Sequence, residues 1–210
     1  MSMFRRMLMM QQQKSYIKDG LVFQLVGEDA TSTNWIDRIG KKEFILSNCT
    51  LGNKCVCFNG TNSFGQSGVF GWDADTSTIE IVFKQNNANN YQLMFISPTA
   101  NTIAFGTTGG KGCLWVSNNP HSYPTITYND KIKTVSINAN LSYYNLNSVS
   151  KGGRDYWSNN GSHTYIGCRK EPNQDFFNGN IYQIRIYNRL LTADEIIYNQ
   201  KIDIKKYGII

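Results

Sequence analysis

The chain has 210 residues, 40% of them hydrophobic and 13% aromatic, which is enough to bury one core and is the size of a single domain with short extensions. A mean hydropathy of −0.39, with no apolar run near the roughly 18 residues of a spanning helix, excludes a helical membrane protein. The net charge of +6 is not gathered into a Lys/Arg run of about five to eight residues, so neither nucleic acid nor membrane is expected as a partner.

The chain opens on a basic, Met-rich stretch in which Arg5 and Arg6 precede Met7, Leu8, Met9 and Met10. Four apolar residues fall short of the roughly 7–15 of a signal-peptide core, so no secretory signal is read. Residues 1–17 are instead expected to be an assembly arm. Met side chains adapt to irregular grooves, and Arg suits interface ion pairs. β-Branched and aromatic runs then alternate with Gly/Asn/Ser clusters, which places strands at 21–25, 44–47, 54–58, 63–64, 78–84, 91–96, 102–106, 113–117, 126–128, 134–138, 163–169 and 181–188. So many short strands at this spacing predict an all-β jelly-roll sandwich of two antiparallel sheets. The last strand follows Asn178-Gly179, read as a turn, and sends Ile181, Gln183 and Arg185 one way and Tyr182, Ile184 and Ile186 the other. Thr192 stands three residues before Glu195, the spacing of a capping box, so a short helix should start there. The expected divisions are an arm over 1–17, a domain over 18–200 and an extension over 201–210.

The segment from Phe176 through Gly179, Ile181, Arg185-Ile186-Tyr187-Asn188-Arg189 and Leu191 to Thr192, Glu195 and Ile196 resembles the end of a laminin-G-like domain of the concanavalin A-like lectin/glucanase superfamily. Asp19-Gly20-Leu21-Val22, Trp35 with Asp37 and Gly40, Phe58-Asn59-Gly60-Thr61 and Tyr165-Ile166-Gly167 resemble its earlier motifs, in the same order. The resemblance implies a lectin-like jelly roll with a short covering helix, and it directs attention to binding. It departs from the family between about 85 and 150, where the usual central signature is missing.

Chemistry finds little support in the residues. Glycoside hydrolysis requires paired carboxylates, and Glu80 has no acidic partner at i+2 or i+4. No G-x-S-x-G elbow accompanies His121 or His163. An enzyme is therefore not expected. Five cysteines (Cys49, Cys55, Cys57, Cys113, Cys168) without metal-site spacing read as reduced thiols acting as small hydrophobes. No cofactor is expected. Calcium, which family resemblance raises, would have to use Asp73 and Asp75 or Glu28 and Asp29, and neither pair is a complete ligand set. Sugar contact would use loop aromatics beside acids: Trp72 with Asp73 and Asp75, and Tyr156-Trp157 with Asp155. Trp35 and Trp115 are expected in the core.

Two readings of function remain. The first is a structural component of a phage virion, a capsid-decorating, head-fibre or tail protein made in the host cytoplasm and docked on other virion proteins through its arm. The second is a carbohydrate-binding or adhesion module of a bacterial surface protein. Either would be non-catalytic, and a glycan is the ligand class common to both.

Overall fold

The computed structural model describes residues 15–73, 75–87, 92–96, 104–108, 111–115, 131–138, 141–148, 163–169 and 174–210. In chain order its elements are β1 (Leu21–Val26), β2 (Asn34–Ile36), β3 (Glu43–Ser47), β4 (Thr50–Gly52), β5 (Cys55–Asn59), β6 (Phe64–Ser67), β7 (Thr78–Gln85), β8 (Gln92–Ile96), β9 (Ala104–Thr108), β10 (Lys111–Trp115), β11 (Lys133–Asn138), β12 (Ser142–Tyr144), β13 (Asn147–Ser148), β14 (Thr164–Ile166), β15 (Asn178–Tyr187) and α1 (Ala193–Tyr207). One sheet runs β13-β12-β11-β7-β15-β5-β4, with β1 also paired to β15; the other runs β10-β9-β8-β14-β6-β3-β2. From β5 onward the chain passes repeatedly from one sheet to the other, which is the connectivity of a jelly roll. The sandwich with a C-terminal helix is as expected.

Alternation builds the core. Ile79, Ile81 and Phe83 of β7 and Val135 and Ile137 of β11 point inward, meeting Trp35, Phe44, Phe95, Phe105 and Ile166 of the facing sheet. Full burial of each contributes about 1.5–3 kcal/mol. Phe23 sits at the centre of an aromatic group, its ring 6.1 Å from Phe44 and 5.9 Å from Phe95.

The recognisable motifs are turn and packing devices. Trp35 Nε1 donates to the Val26 carbonyl at 2.8 Å. Buried Asp37 accepts from the backbone N–H of Gln24 at 2.6 Å, Ile39 at 3.0 Å and Gly40 at 2.6 Å, which ties the loop after β2 to β1. Asn59 Oδ1 accepts from the N–H groups of Thr61, Asn62 and Ser63, so an amide serves this turn as well as a carboxylate would. Gly167 has φ +81° and lies against the Phe58 ring, where a Cβ would come within 2.3 Å of it. That turn ends β14 at Ile166, shortening the strand expected over 163–169.

Three other expectations change. Asn178-Gly179 is not a turn but the start of β15, paired with Asn59 and Phe58. Gly179 is needed for close approach: a Cβ there would lie 2.2 Å from the Lys84 carbonyl and 2.6 Å from the Phe177 ring. The alternation along β15 is broken by an irregularity between Ile181 and Gln183, where Tyr182 is the extra residue opposite β7. Ile181 consequently joins Ile184 and Ile186 in the core, while Tyr182 packs on the outer side with Tyr207. Strands β2, β4, β12 and β13 are too short, at two or three residues, to stand out as apolar runs. The strand expected at 126–128 lies outside the described residues.

The helix starts where its capping box predicts. Thr192 Oγ1 accepts from Glu195 N at 3.4 Å, and the Glu195 carboxylate accepts from Thr192 N at 2.9 Å. Gly208, at φ 64°, closes it. Position 200 falls inside α1, and Tyr207 at the end of the helix and Ile209 after it pack with Cys55, Val82 and Tyr182.

Candidate functional site

Two surfaces of the sandwich differ sharply in what they can do, and the first is closed. The outward residues of β7, β11 and β15 include Glu80, Thr134, Ser136, Gln183 and Arg185, all buried because α1 lies over them. Arg185, fully buried, donates from Nε to Glu80 Oε2 at 2.8 Å and from Nη1 and Nη2 to the two oxygens of Asp203 at 2.7 and 2.6 Å. The carboxylates are also hydrogen-bonded elsewhere. Ser136 Oγ and Asn199 Nδ2 donate to Glu80 at 2.9 Å each. Thr134 Oγ1 and the Tyr16 hydroxyl donate to Asp203 at 2.8 and 2.9 Å. The Tyr16 ring lies 4.0 Å from the Arg185 guanidinium carbon. Burial pushes the Glu80 carboxyl above its ordinary value, with the charge of Arg185 opposing.

Sequence reasoning missed this cluster, since Glu80 has no acidic neighbour along its own strand. Its partners come from elements distant in sequence: Ser136 from β11, Arg185 from β15 and Asn199 from α1, which also brings Asp203 to Arg185. Ile196, Asn199, Gln200, Asp203 and Tyr207 are the buried residues of that helix and recur at helical spacing, but three are polar, so no apolar stripe announces them.

The second surface is open. Trp72 and Asp73 lie on the connection between β6 and β7, with Asp75 just beyond. Trp72 is half-buried, its ring 5.2 Å from Phe23 and 5.4 Å from Phe70, so it anchors the loop to the core while keeping a solvent-facing edge. Asp73 and Asp75 are exposed, and Asp73 Oδ1 accepts from Asp75 N at 2.8 Å. Lys42 Nζ sits 5.3 Å from the Phe70 centroid on the same rim. Beside this rim, β2, β3 and β6 carry Asn34, Glu43, Ile45 and Gln66 on an outer face that α1 does not cover; Asn34 opposes Ile45, which opposes Gln66. Asn34 Nδ2 donates to Glu43 Oε1, and Ile45 is 56% exposed. An exposed apolar side chain among amides and a carboxylate could have been read from the alternation of Glu43, Ile45 and Ser47, had the register of β3 been known.

Asp155, Tyr156, Trp157 and the arm residues Arg5, Arg6, Met7, Leu8, Met9 and Met10 lie outside the described residues. Glu28 and Asp29, the other acidic loop, face cations: Asp29 accepts from Arg38 at 2.5 and 2.8 Å, and Glu28 lies 3.7 Å from Lys54 and 3.6 Å from Lys206. Hydrogen bonding from Arg38 holds the Asp29 carboxyl below its ordinary value. Among the described residues no group of three or more His, Cys, Asp or Glu side chains is arranged to hold a metal ion, and no helix is long and apolar enough to cross a membrane.

A laminin-G-type family model described as concanavalin A-like lectin/glucanases superfamily matches residues 50–197. The chain belongs to that superfamily. Its lectin-like sandwich recurs in solved structures of low sequence identity. Trypanosoma rangeli sialidase in complex with sialic acid has a TM-score of 0.61 and 16% identity, over 87% of this chain and 33% of the sialidase. The binding domain of botulinum neurotoxin DC in complex with SialylT has a TM-score of 0.62 and 12% identity, over 88% of this chain and 51% of that one. The same binding domain in complex with rat synaptotagmin II has a TM-score of 0.63 and 14% identity, over the same shares. This lectin-like chain thus spans about a third of the sialidase and half of the toxin domain. No curated protein matches it in sequence.

Proposed function

We propose that this chain is a non-catalytic binding module whose ligand is a glycan. The observation that carries the reading is the condition of Glu80 and Asp203, which are brought together yet fully buried and held by one arginine. A glycosidase of the usual kind flanks the scissile bond with two carboxylates about 5–9.5 Å apart, with space for sugar and water between them. Here a guanidinium fills that space and a helix seals it. Binding asks for less: an aromatic edge, amides and carboxylates on an open rim. Trp72, Asp73 and Asp75 supply such a rim, with Asn34, Glu43 and Gln66 alongside. That the sialidase and the toxin domain were solved with sialic acid and SialylT agrees with a glycan ligand.

The carrier proposed for this module is a phage particle, on which it would serve as a capsid-decorating, head-fibre or tail protein. Free thiols at Cys49, Cys55, Cys57 and Cys168 support assembly in a reducing compartment, and the basic, Met-rich stretch from Arg5 to Met10 would supply the contact with other virion proteins. A bacterial surface adhesin is the alternative carrier. Antibody labelling of purified particles decides between them: label on particles supports the first, and label on cells alone supports the second.

A glycan array probed with the purified chain tests the binding reading. Trp72→Ala and Asp73→Asn should each weaken the strongest interaction by about tenfold or more, equivalent to about 1.4 kcal/mol. Loss confined to Asn34→Ala and Gln66→Ala would move the site to the open sheet face. No saturable binding by the unaltered chain would overturn the proposal.

A further inference from the structure

We propose that Cys55 and Cys57 form a two-thiolate site for a thiophilic divalent cation, with Zn²⁺ as the physiological candidate and Cd²⁺ as the probe. The two residues are separated by one position on β5, so both side chains leave the same face of the strand. Their sulfurs lie 3.9 Å apart. Two thiolates on a tetrahedral ion with metal–sulfur bonds of about 2.3 Å are separated by about 3.8 Å, so the sulfurs already stand at the spacing of one edge of such a coordination sphere.

The neighbouring strand makes room for this arrangement. Gly52 of β4 pairs with Cys55, and a Cβ at Gly52 would fall 2.6 Å from Cys55 Sγ and 2.9 Å from Cys57 Sγ. Any side chain there would force the thiols aside. Strand β4 ends its sheet and is exposed along its length, so the pair can be approached from the sheet edge. Cys57 is half-buried on that approach; Cys55 is 2% exposed and is backed by Val82, Tyr182, Tyr207 and Ile209. The site has one dry wall and one wet side.

A direct bond between the sulfurs is disfavoured by the same geometry. Alternate residues on an extended strand are about 6.6–6.8 Å apart at Cα, the upper limit for a disulfide. A bridging ion needs no backbone movement. On binding, two S–H bonds release their protons to solvent, two metal–sulfur bonds form, and water oxygens complete the sphere with no change of oxidation state.

The inference is independent of the glycan reading. Its test is titration of the reduced full-length chain with Cd²⁺, following thiolate-to-metal charge-transfer absorbance. Saturation should come at one Cd²⁺ per chain. Cys57→Ala should lower the affinity by about tenfold or more, and so should Gly52→Ala, which leaves both thiols in the chain. Cys49→Ala should not, because the Cys49 thiol lies instead against the carbonyls of Ser47 and Phe64. Melting curves of each variant show that the fold is retained. Absorbance that persists unchanged in Cys57→Ala, or none at any ratio in the unaltered chain, would overturn the site.

Discussion

Arg185 is the side chain on which the covered face depends. One guanidinium stands between two carboxylates, all three fully shielded from water. A buried ion pair is weak evidence of net stabilisation, because desolvation offsets most of the attraction. Removing one partner is different, since it leaves charge buried and unpaired. Arg185→Leu is therefore predicted to destabilise by about 3–5 kcal/mol in urea denaturation, and a loss below about 1 kcal/mol would contradict the assigned network. The helix cap makes a smaller contribution. Thr192→Ala should cost about 1 kcal/mol, and an unchanged denaturation midpoint would count against the capping box. Glu195 adds a pH dependence. Hydrogen bonds from Arg189, with the Thr192 backbone N–H assisting, hold its carboxyl down to about 2 from 4.5. A carboxyl depressed by folding stabilises above its unfolded value, so that contribution is lost as pH falls from 4.5 toward 2. The side chain is half-buried at the surface and its ion pair is screened by solvent, so the effect is under about 1 kcal/mol. Glu195→Gln should flatten stability across that acid range.

At the scale of elements, α1 and the segment Ser15–Ile17 act together as the cover of the first sheet. Tyr16 donates to Gln183 and Asp203, Ile17 N donates to Asn199 Oδ1 at 3.0 Å, and the Tyr187 hydroxyl donates to the Ile17 carbonyl at 3.1 Å. The C-terminal half of the arm expected from the sequence therefore includes residues bonded into the domain. Deleting residues 1–17 should lower the melting temperature relative to deleting residues 1–14, because only the longer cut removes Tyr16 from Asp203 and Arg185. Equal melting temperatures would show that this segment adds nothing to the cover. The helix start was legible because a capping box is local, needing only Thr192 and Glu195. What the helix covers was not, because Arg185 and Glu80 are 105 residues apart and meet only through strand pairing.

For the whole molecule, the fold was far more readable than the site. Trp35 with Asp37, Asn59-Gly60 and Gly167 serve turns and close approaches, so they announce a jelly roll and are largely consumed in building it. The bulge at Tyr182 escaped because an extra residue shifts a face without altering composition. Trp72 could be proposed as a contact from its loop setting, yet its packing on Phe23 and Phe70 depends on tertiary proximity. Asn34, Glu43 and Gln66 were overlooked because they share a face only once β2, β3 and β6 are in register. Fold membership by itself leaves function open, since one sandwich can carry either a binding rim or a catalytic cleft. The decisive measurement is titration of the chain with its strongest array ligand, with free sugar followed in the same sample by chromatography. Saturable binding with the glycan recovered intact is expected of a binding module; release of sugar that is abolished by Glu80→Gln would make the chain a hydrolase instead.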